Sequence, residues 1–146
     1  MKSILDTENN REKCQKFTPL NIVDDMLDMA EYTTNLMGKK VLENSFGSGH
    51  ILKSIVGRYI ADALDNGVLP GKIFSGLEND IYGIELDETL YSNCIIELND
   101  MIRGYGLPAV KWSLYNEDAL EWSNPVGFQF LYCGNEGLWR TYATID

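Results

Sequence analysis

The sequence predicts an α/β fold with a doubly wound, mostly parallel sheet of about four strands in the order 3-2-1-4. Three observations carry that expectation. Short runs rich in branched and aromatic residues, Val41 to Ser45, Ile81 to Glu85, Val110 to Tyr115 and Phe128 to Cys133, alternate with longer stretches whose apolar residues recur at helical spacing. Each run ends beside a polar group: Glu43 with a Gly-Ser-Gly turn, Glu85, Asp118 and Asn135. In such sheets ligands lie beyond the carboxyl ends of the strands, where these groups stand. A length of 146 residues with 45% hydrophobic content supports one sizeable core and is short for two domains.

Taken in order, Met1 to Gln15 is polar and reads as an arm or helix. Leu20, Val23, Leu27 and Ala30, widened by Ile22, Met26 and Met29, form one face of a helix. Thr18 fits as its N-cap, Pro19 as its first residue and Gly38 as its end. The first strand leads into Gly47-Ser48-Gly49, and from His50 the residues Ile51, Ile55, Ile60 and Leu64 predict a helix to about Asp65 that tolerates Gly57. Asn66-Gly67 and Pro70-Gly71 break the chain, and Ser75 to Asp80 is expected to continue as a loop. After the second strand Asp87 can cap a helix through Leu90, Cys94, Leu98 and Met101, which Gly104 stops. Domain organisation is therefore an arm over 1–15, a core over 16–135 and a tail over 136–146.

Composition removes several classes of function. The formal net charge of -10 is wrong for a chain that grips nucleic acid by itself, because phosphates call for a basic surface. Cys14, Cys94 and Cys133 are widely spaced and His50 is the sole histidine, so neither a zinc site nor a disulfide framework is expected. No stretch approaches the roughly 18 apolar residues of a membrane span, and the polar start is unlike a signal peptide, which together predict a cytoplasmic protein.

The glycine turn narrows the ligand. Glycines at Gly47 and Gly49 let a ligand approach the backbone at a helix start, where free amides favour polar or anionic groups. A phosphate-binding loop needs glycine before Lys53-Ser54, and Leu52 stands there. The dinucleotide fingerprint fails at the same residue, and its acidic partner arrives later than the roughly 20-residue spacing expected. A carboxylate at the tip of the second strand, Glu85, can accept from both hydroxyls of a ribose. Asp118 can accept from an adenine amino group, although an aspartate there also serves as an ordinary turn residue.

Four segments share a pattern. Lys16-Phe17-Thr18-Pro19-Leu20-Asn21-Ile22-Val23, Val41 to Leu52, Ile81 to Asp87 and Asn116-Glu117-Asp118-Ala119-Leu120 resemble, in order and spacing, the opening, glycine, acidic and Asp-containing motifs of S-adenosylmethionine-dependent DNA methyltransferases of the adenine-modifying, restriction-modification kind. The resemblance covers about Lys16 to Asn135 and implies a Rossmann-like methyltransferase fold with S-adenosylmethionine as cofactor and DNA as partner. It implies that Thr18, Glu43, Phe46, Gly47, Gly49, Glu85, Asp118 and Ala119 form the cofactor site, with Thr18 at the methionine end, Glu85 on the ribose and Asp118 on the adenine. No metal is implied.

Asn44 replaces the usual proline and Glu43 the usual aspartate, both minor departures. A larger one follows the fourth strand. There the family carries Asn/Asp-Pro-Pro-Tyr/Phe, which holds the target amino group and stacks on the flipped base, as enzymes acting on a base in a duplex require. Here Asn135 aligns, but Glu136-Gly137-Leu138 stands where Pro-Pro-Tyr should be; Asn135 alone cannot rebuild that site, and Trp139 or Tyr142 would have to stand in for the stacking ring. The expectation is a cofactor-binding half without complete catalytic machinery, from a truncated or frame-shifted gene. The sheet edge left bare is expected to be covered by another chain, a homo-oligomer contact or the tail. The competing expectations are a non-catalytic cofactor-binding or subunit module, a methyltransferase acting on RNA, protein or a small molecule, and a nicotinamide enzyme.

Overall fold

The computed structural model of the protein describes residues 19–128 and the strand segments 132–133, 138–139 and 142–145, so the arm, Thr18 and Asn135 lie outside the described residues. Helix α1, Leu20–Met29, turns Val23 and Leu27 into the core. Pro19 takes the N-cap position, its carbonyl accepting from Ile22 N at 3.1 Å and Val23 N at 3.0 Å, instead of the first helical position expected of it. The helix also stops well before Gly38. Glu31 and Asn35 adopt φ values of 59° and 54°, so the chain bends inward and buries Tyr32 and Leu36. Asp62 holds that bend by accepting from Asn35 N at 3.0 Å and Leu36 N at 2.9 Å.

Strand β1, Lys40–Glu43, enters the glycine turn, and α2, His50–Asp65, follows with Ile51, Ile55 and Ile60 buried as the spacing predicts. Leu64 is the exception: Ala63 faces inward and Leu64 is exposed. The expected loop before β2 is a second helix, α3, Pro70–Asp80. Pro70 suits its first turn, where an amide would lack a partner anyway, and Ile73 and Leu77 are buried one turn apart. Gly76, inside the stretch expected to be a loop, lies under Tyr59, whose hydroxyl stands 2.0 Å from where a Cβ would be. Close packing of α3 on α2 uses the glycine that local propensity counts against a helix.

Strand β2, Ile81–Ile84, is buried along its whole length, and α4, Glu88–Arg103, follows it. Asp87 caps α4 as expected, accepting from Leu90 N at 3.0 Å. Strand β3 is shorter than predicted, Ser113–Tyr115. The three strands lie parallel in the order β3-β2-β1, with Glu43 opposite Gly83 and Ile84 opposite Tyr115. Val41, Ile81 and Leu114 pack with α1 to α4 on one face, while Leu42, Tyr82 and Ile84 pack with Trp122 and Phe128 on the other. Among the described residues, no helix is long and apolar enough to cross a membrane.

The predicted order 3-2-1-4 is not what forms. The place beside β1 is taken by β6, Tyr142–Ile145, which runs antiparallel, and β4, Tyr132–Cys133, pairs antiparallel with β5, Leu138–Trp139, in a separate two-stranded sheet. A parallel fourth strand requires a crossover, usually helical, of a dozen or more residues. The segment 116–128 contains turns but no helix, and its Trp122 and Phe128 are committed to covering the second face of the sheet. An antiparallel strand needs no such crossover, so the tail pairs the free edge of β1.

Candidate functional site

The carboxyl ends of β1, β2 and β3 are joined by polar contacts. Phe46 N donates to Ile84 O at 3.1 Å, which pins the turn after β1 to the end of β2. Gly49 N donates to Phe46 O at 2.7 Å, and Gly47 and Gly49 take φ values of 54° and 84°. Both values favour glycine, and a Cβ on Gly49 would lie 2.4 Å from Cys94 Sγ of α4. Leu52, the residue that rules out a phosphate loop, is wholly buried and serves the core.

Glu85 is the hub of these contacts. Its Oε1 accepts from Gly47 N and its Oε2 from Asp87 N, both at 2.8 Å. A carboxylate offers about four acceptor positions, so capacity remains for two hydroxyl donors. Glu85 N donates to Tyr115 O at 2.9 Å, and Asn116 Nδ2 donates to the carbonyls of Glu85 at 2.9 Å and Leu86 at 3.0 Å. Asn116 therefore clamps the ends of β2 and β3 together. In the sequence Asn116 stands in a motif without a role of its own, because only the parallel register brings it beside β2.

Asp118 is half-buried, its Oδ1 accepting from Leu120 N at 2.9 Å, as in a turn. Ala119 packs against the Trp122 and Phe128 cluster. Leu86 and Leu120, each next to or near a carboxylate of interest, are 69% and 74% exposed and offer apolar surface beside it. Phe46 is buried. Its ring occupies the space beside Gly83, where a Cβ would meet it at 2.8 Å, and stacks at 6.3 Å with Tyr91.

Glu43 is 0% exposed. Its Oε1 accepts from Ser45 N at 3.2 Å, while Oε2 is buried with no hydrogen-bond partner among the described residues. Ser48 Oγ, inside the glycine turn, is buried in the same condition. Burial raises the Glu43 carboxyl well above its ordinary value; the Ser45 amide opposes this and the nearby Glu85 charge adds to it. An unsatisfied buried polar group costs about 1–3 kcal/mol, so two of them at one turn call for an explanation.

Away from the strand ends, the acidic depression along α1 and α2 lined by Asp28, Thr33, Thr34, Arg58 and Asp62 is satisfied from within. Arg58 pairs there with Asp28 at 2.7 Å and Asp24 at 3.4 Å, and Asp62 is occupied by the bend after α1.

No family model matches the chain. It is 35% identical over 100 residues to the Type II methyltransferase M.BstVI of Geobacillus stearothermophilus, a match that covers 66% of this chain and 18% of that protein. The chain is thus homologous to a Type II methyltransferase over most of its own length, and it spans 18% of that relative's length. A nuclease-deletion mutant of the Type ISP restriction-modification enzyme LlaGI, solved with a DNA substrate mimic, superposes with a TM-score of 0.48 at 17% identity, over 68% of this chain and 10% of the enzyme.

Proposed function

We propose that the chain binds S-adenosylmethionine as the cofactor-holding portion of an adenine-specific DNA methyltransferase acting in the cytoplasm. The observation that carries this reading is the bond from Gly47 N to Glu85 Oε1, which ties the glycine turn of one strand to the acidic tip of the next and leaves acceptor positions free. Similarity to a Type II methyltransferase supports the same reading. The residues suit such a ligand. Glu85 would accept from the ribose hydroxyls, Asp118 from the adenine amino group, and the exposed Leu86 and Leu120 would flank the purine ring. Glu43 Oε2 and Ser48 Oγ, both buried and unpartnered, would serve the methionine end, with Thr18 completing it from outside the described residues.

When bound, the cofactor supplies a methyl group activated by its sulfonium. The chain's own contribution is positioning: two strand tips fix the adenosine, the buried turn fixes the methionine end, and the methyl group is thereby presented in one orientation. DNA is the proposed methyl acceptor. A net charge of -10 makes this chain by itself a weak DNA ligand, so a further protein surface would have to supply the basic contacts.

Glu136-Gly137-Leu138, where Pro-Pro-Tyr is expected, favours a second reading in which the chain binds the cofactor without catalysing transfer. Calorimetric titration with S-adenosylmethionine tests both readings together, since no heat at millimolar cofactor eliminates each of them. Transfer of labelled methyl groups to duplex DNA then separates the two. None is expected from this chain alone, and measurable transfer would remove the non-catalytic reading.

A further inference from the structure

Strand β2 ends at Ile84, and the bond from Glu85 N to Tyr115 O at 2.9 Å closes its ladder with β3. The carbonyls of Glu85 and Leu86 lie past the end of that ladder, and both accept from one group, Asn116 Nδ2, at 2.9 Å and 3.0 Å. A side-chain amide carries two such donors, so both are used. The segment so held is short, because Asp87 already caps α4. It carries Glu85, whose carboxylate folds onto the amides of Gly47 and Asp87 at 2.8 Å each, and the exposed Leu86. Asn116 itself follows Tyr115, the last residue of β3, and stands two residues before Asp118. One side chain therefore joins the main chain that bears the ribose and purine contacts proposed above to the main chain that bears the adenine contact.

Resting on the cofactor reading above, we propose that Asn116 is a positioning residue for the adenosine half of the ligand. It acts through Glu85 and Leu86 and does not itself touch the ligand. With the carbonyls of Glu85 and Leu86 fixed, Gly47 N and Asp87 N hold the Glu85 carboxylate in one orientation, and its free acceptor positions are set before the ribose arrives. Pre-ordering of this kind raises affinity because the ligand need not impose it. Without the clamp the short segment gains freedom, and the ribose hydroxyls meet a less directed acceptor. The donors matter more than the bulk. Asn116→Asp keeps the shape but sets lone pairs against two carbonyls, so it should do at least as much harm as Asn116→Ala. Asn116 is itself exposed, so neither change opens a cavity in the core and both variants should fold.

Calorimetry of the intact chain with S-adenosylhomocysteine and with its 2′,3′-dideoxy analogue reads the effect as a ratio of affinities, which cancels any loss common to both ligands. In the wild-type chain the ratio should be at least about tenfold, as hydrogen bonds to a charged acceptor contribute. It should fall to about twofold in Asn116→Ala and no higher in Asn116→Asp, since the acceptor is then no longer pre-ordered. Ser113→Ala is the control: Ser113 Oγ donates to Glu78 O at 2.5 Å at the other end of β3, and its loss should leave the wild-type ratio. An unchanged ratio in both Asn116 variants, with the two affinities lowered alike, overturns the proposal and leaves cofactor binding intact. So does a Ser113→Ala ratio as low as that of Asn116→Ala. A wild-type ratio near one removes the ribose role of Glu85, and the proposal falls with it. A wild-type chain that binds neither ligand removes the cofactor reading altogether, and this proposal too. Should the Asn116 variants not fold, nuclear magnetic resonance of the wild-type chain decides. The Asn116 side-chain amide protons should exchange more slowly with S-adenosylhomocysteine bound than with the dideoxy analogue bound, and equal exchange refutes the coupling.

Discussion

Of the three acidic side chains buried among the described residues, Asp80 lies at one end of the parallel sheet and Glu43 at the other beside Glu85, and Asp80 and Glu43 are treated differently. Asp80, at the end of α3 where β2 begins, accepts from Tyr59 Oη at 2.6 Å and Gly38 N at 2.7 Å, with Lys40 Nζ at 3.6 Å. Glu43, at the other end of β1, has one backbone donor on one oxygen and none among the described residues on the other. Both carboxyl groups are removed from water, but only the first has all its polar contacts met by its surroundings. Asp80 fastens the entry to β1 onto α2 and α3 and is architecture. Glu43 lies at the strand end that carries the glycine turn and Glu85, and its shortfall is what a ligand site looks like before the ligand is counted.

This contrast can be broken in four ways. The largest expected effect is at the architectural end: Asp80→Ala leaves the Tyr59 hydroxyl and the Gly38 amide without an acceptor and should cost about 3–5 kcal/mol in denaturant-induced unfolding. A loss below about 1 kcal/mol would mean that Asp80 is no fastening. Next, Glu85→Ala should weaken S-adenosylmethionine binding by about 1.5–3 kcal/mol, since a charged acceptor is removed; unchanged affinity by calorimetry would refute its ribose role. Gly49→Ala pushes a methyl onto Cys94 Sγ at positive φ and should destabilise by about 1–3 kcal/mol in thermal unfolding. An unshifted melting temperature would show that turn and helix pack less closely than the structure has them.

The smallest effect is the sharpest discriminator. Glu43→Gln should change stability little at acidic pH, where the native and unfolded chains both carry the proton. The unfolded chain loses that proton near the ordinary value of 4.5 while the native chain retains it, so wild-type stability falls as pH rises above that value. The glutamine variant escapes this loss. Its melting temperature should therefore gain on the wild type with increasing pH, and a constant difference would show that Glu43 is not held protonated.

Much of this molecule was legible in the chain. The alternation of strands and helices, the parallel order of the first three strands and the Asp87 cap all rest on local patterns that the tertiary structure preserves. The region that misled is where context overrides propensity. Pro70-Gly71 and Gly76 read as a loop, but Gly76 is the close-packing point for Tyr59 and the segment is α3. Alternating strands and helices predict a fourth parallel strand beside β1, whereas the connection after β3 has no helix to carry the crossover and an antiparallel strand pairs there instead. At the site, Glu85 and the glycine turn were visible as types at strand ends. The clamp by Asn116 and the unpartnered oxygens of Glu43 and Ser48 were not, because they depend on register and burial.

The central claim is that the ligand end of the sheet is the one with the unsatisfied carboxylate. Amide hydrogen exchange of the chain with and without S-adenosylmethionine tests it most directly, because both ends are read in one experiment. The account predicts added protection at 44–52, 85–88 and 116–119, and none at Gly38 or around Asp80. Protection confined to the Asp80 end, or no change anywhere at saturating cofactor, would contradict it.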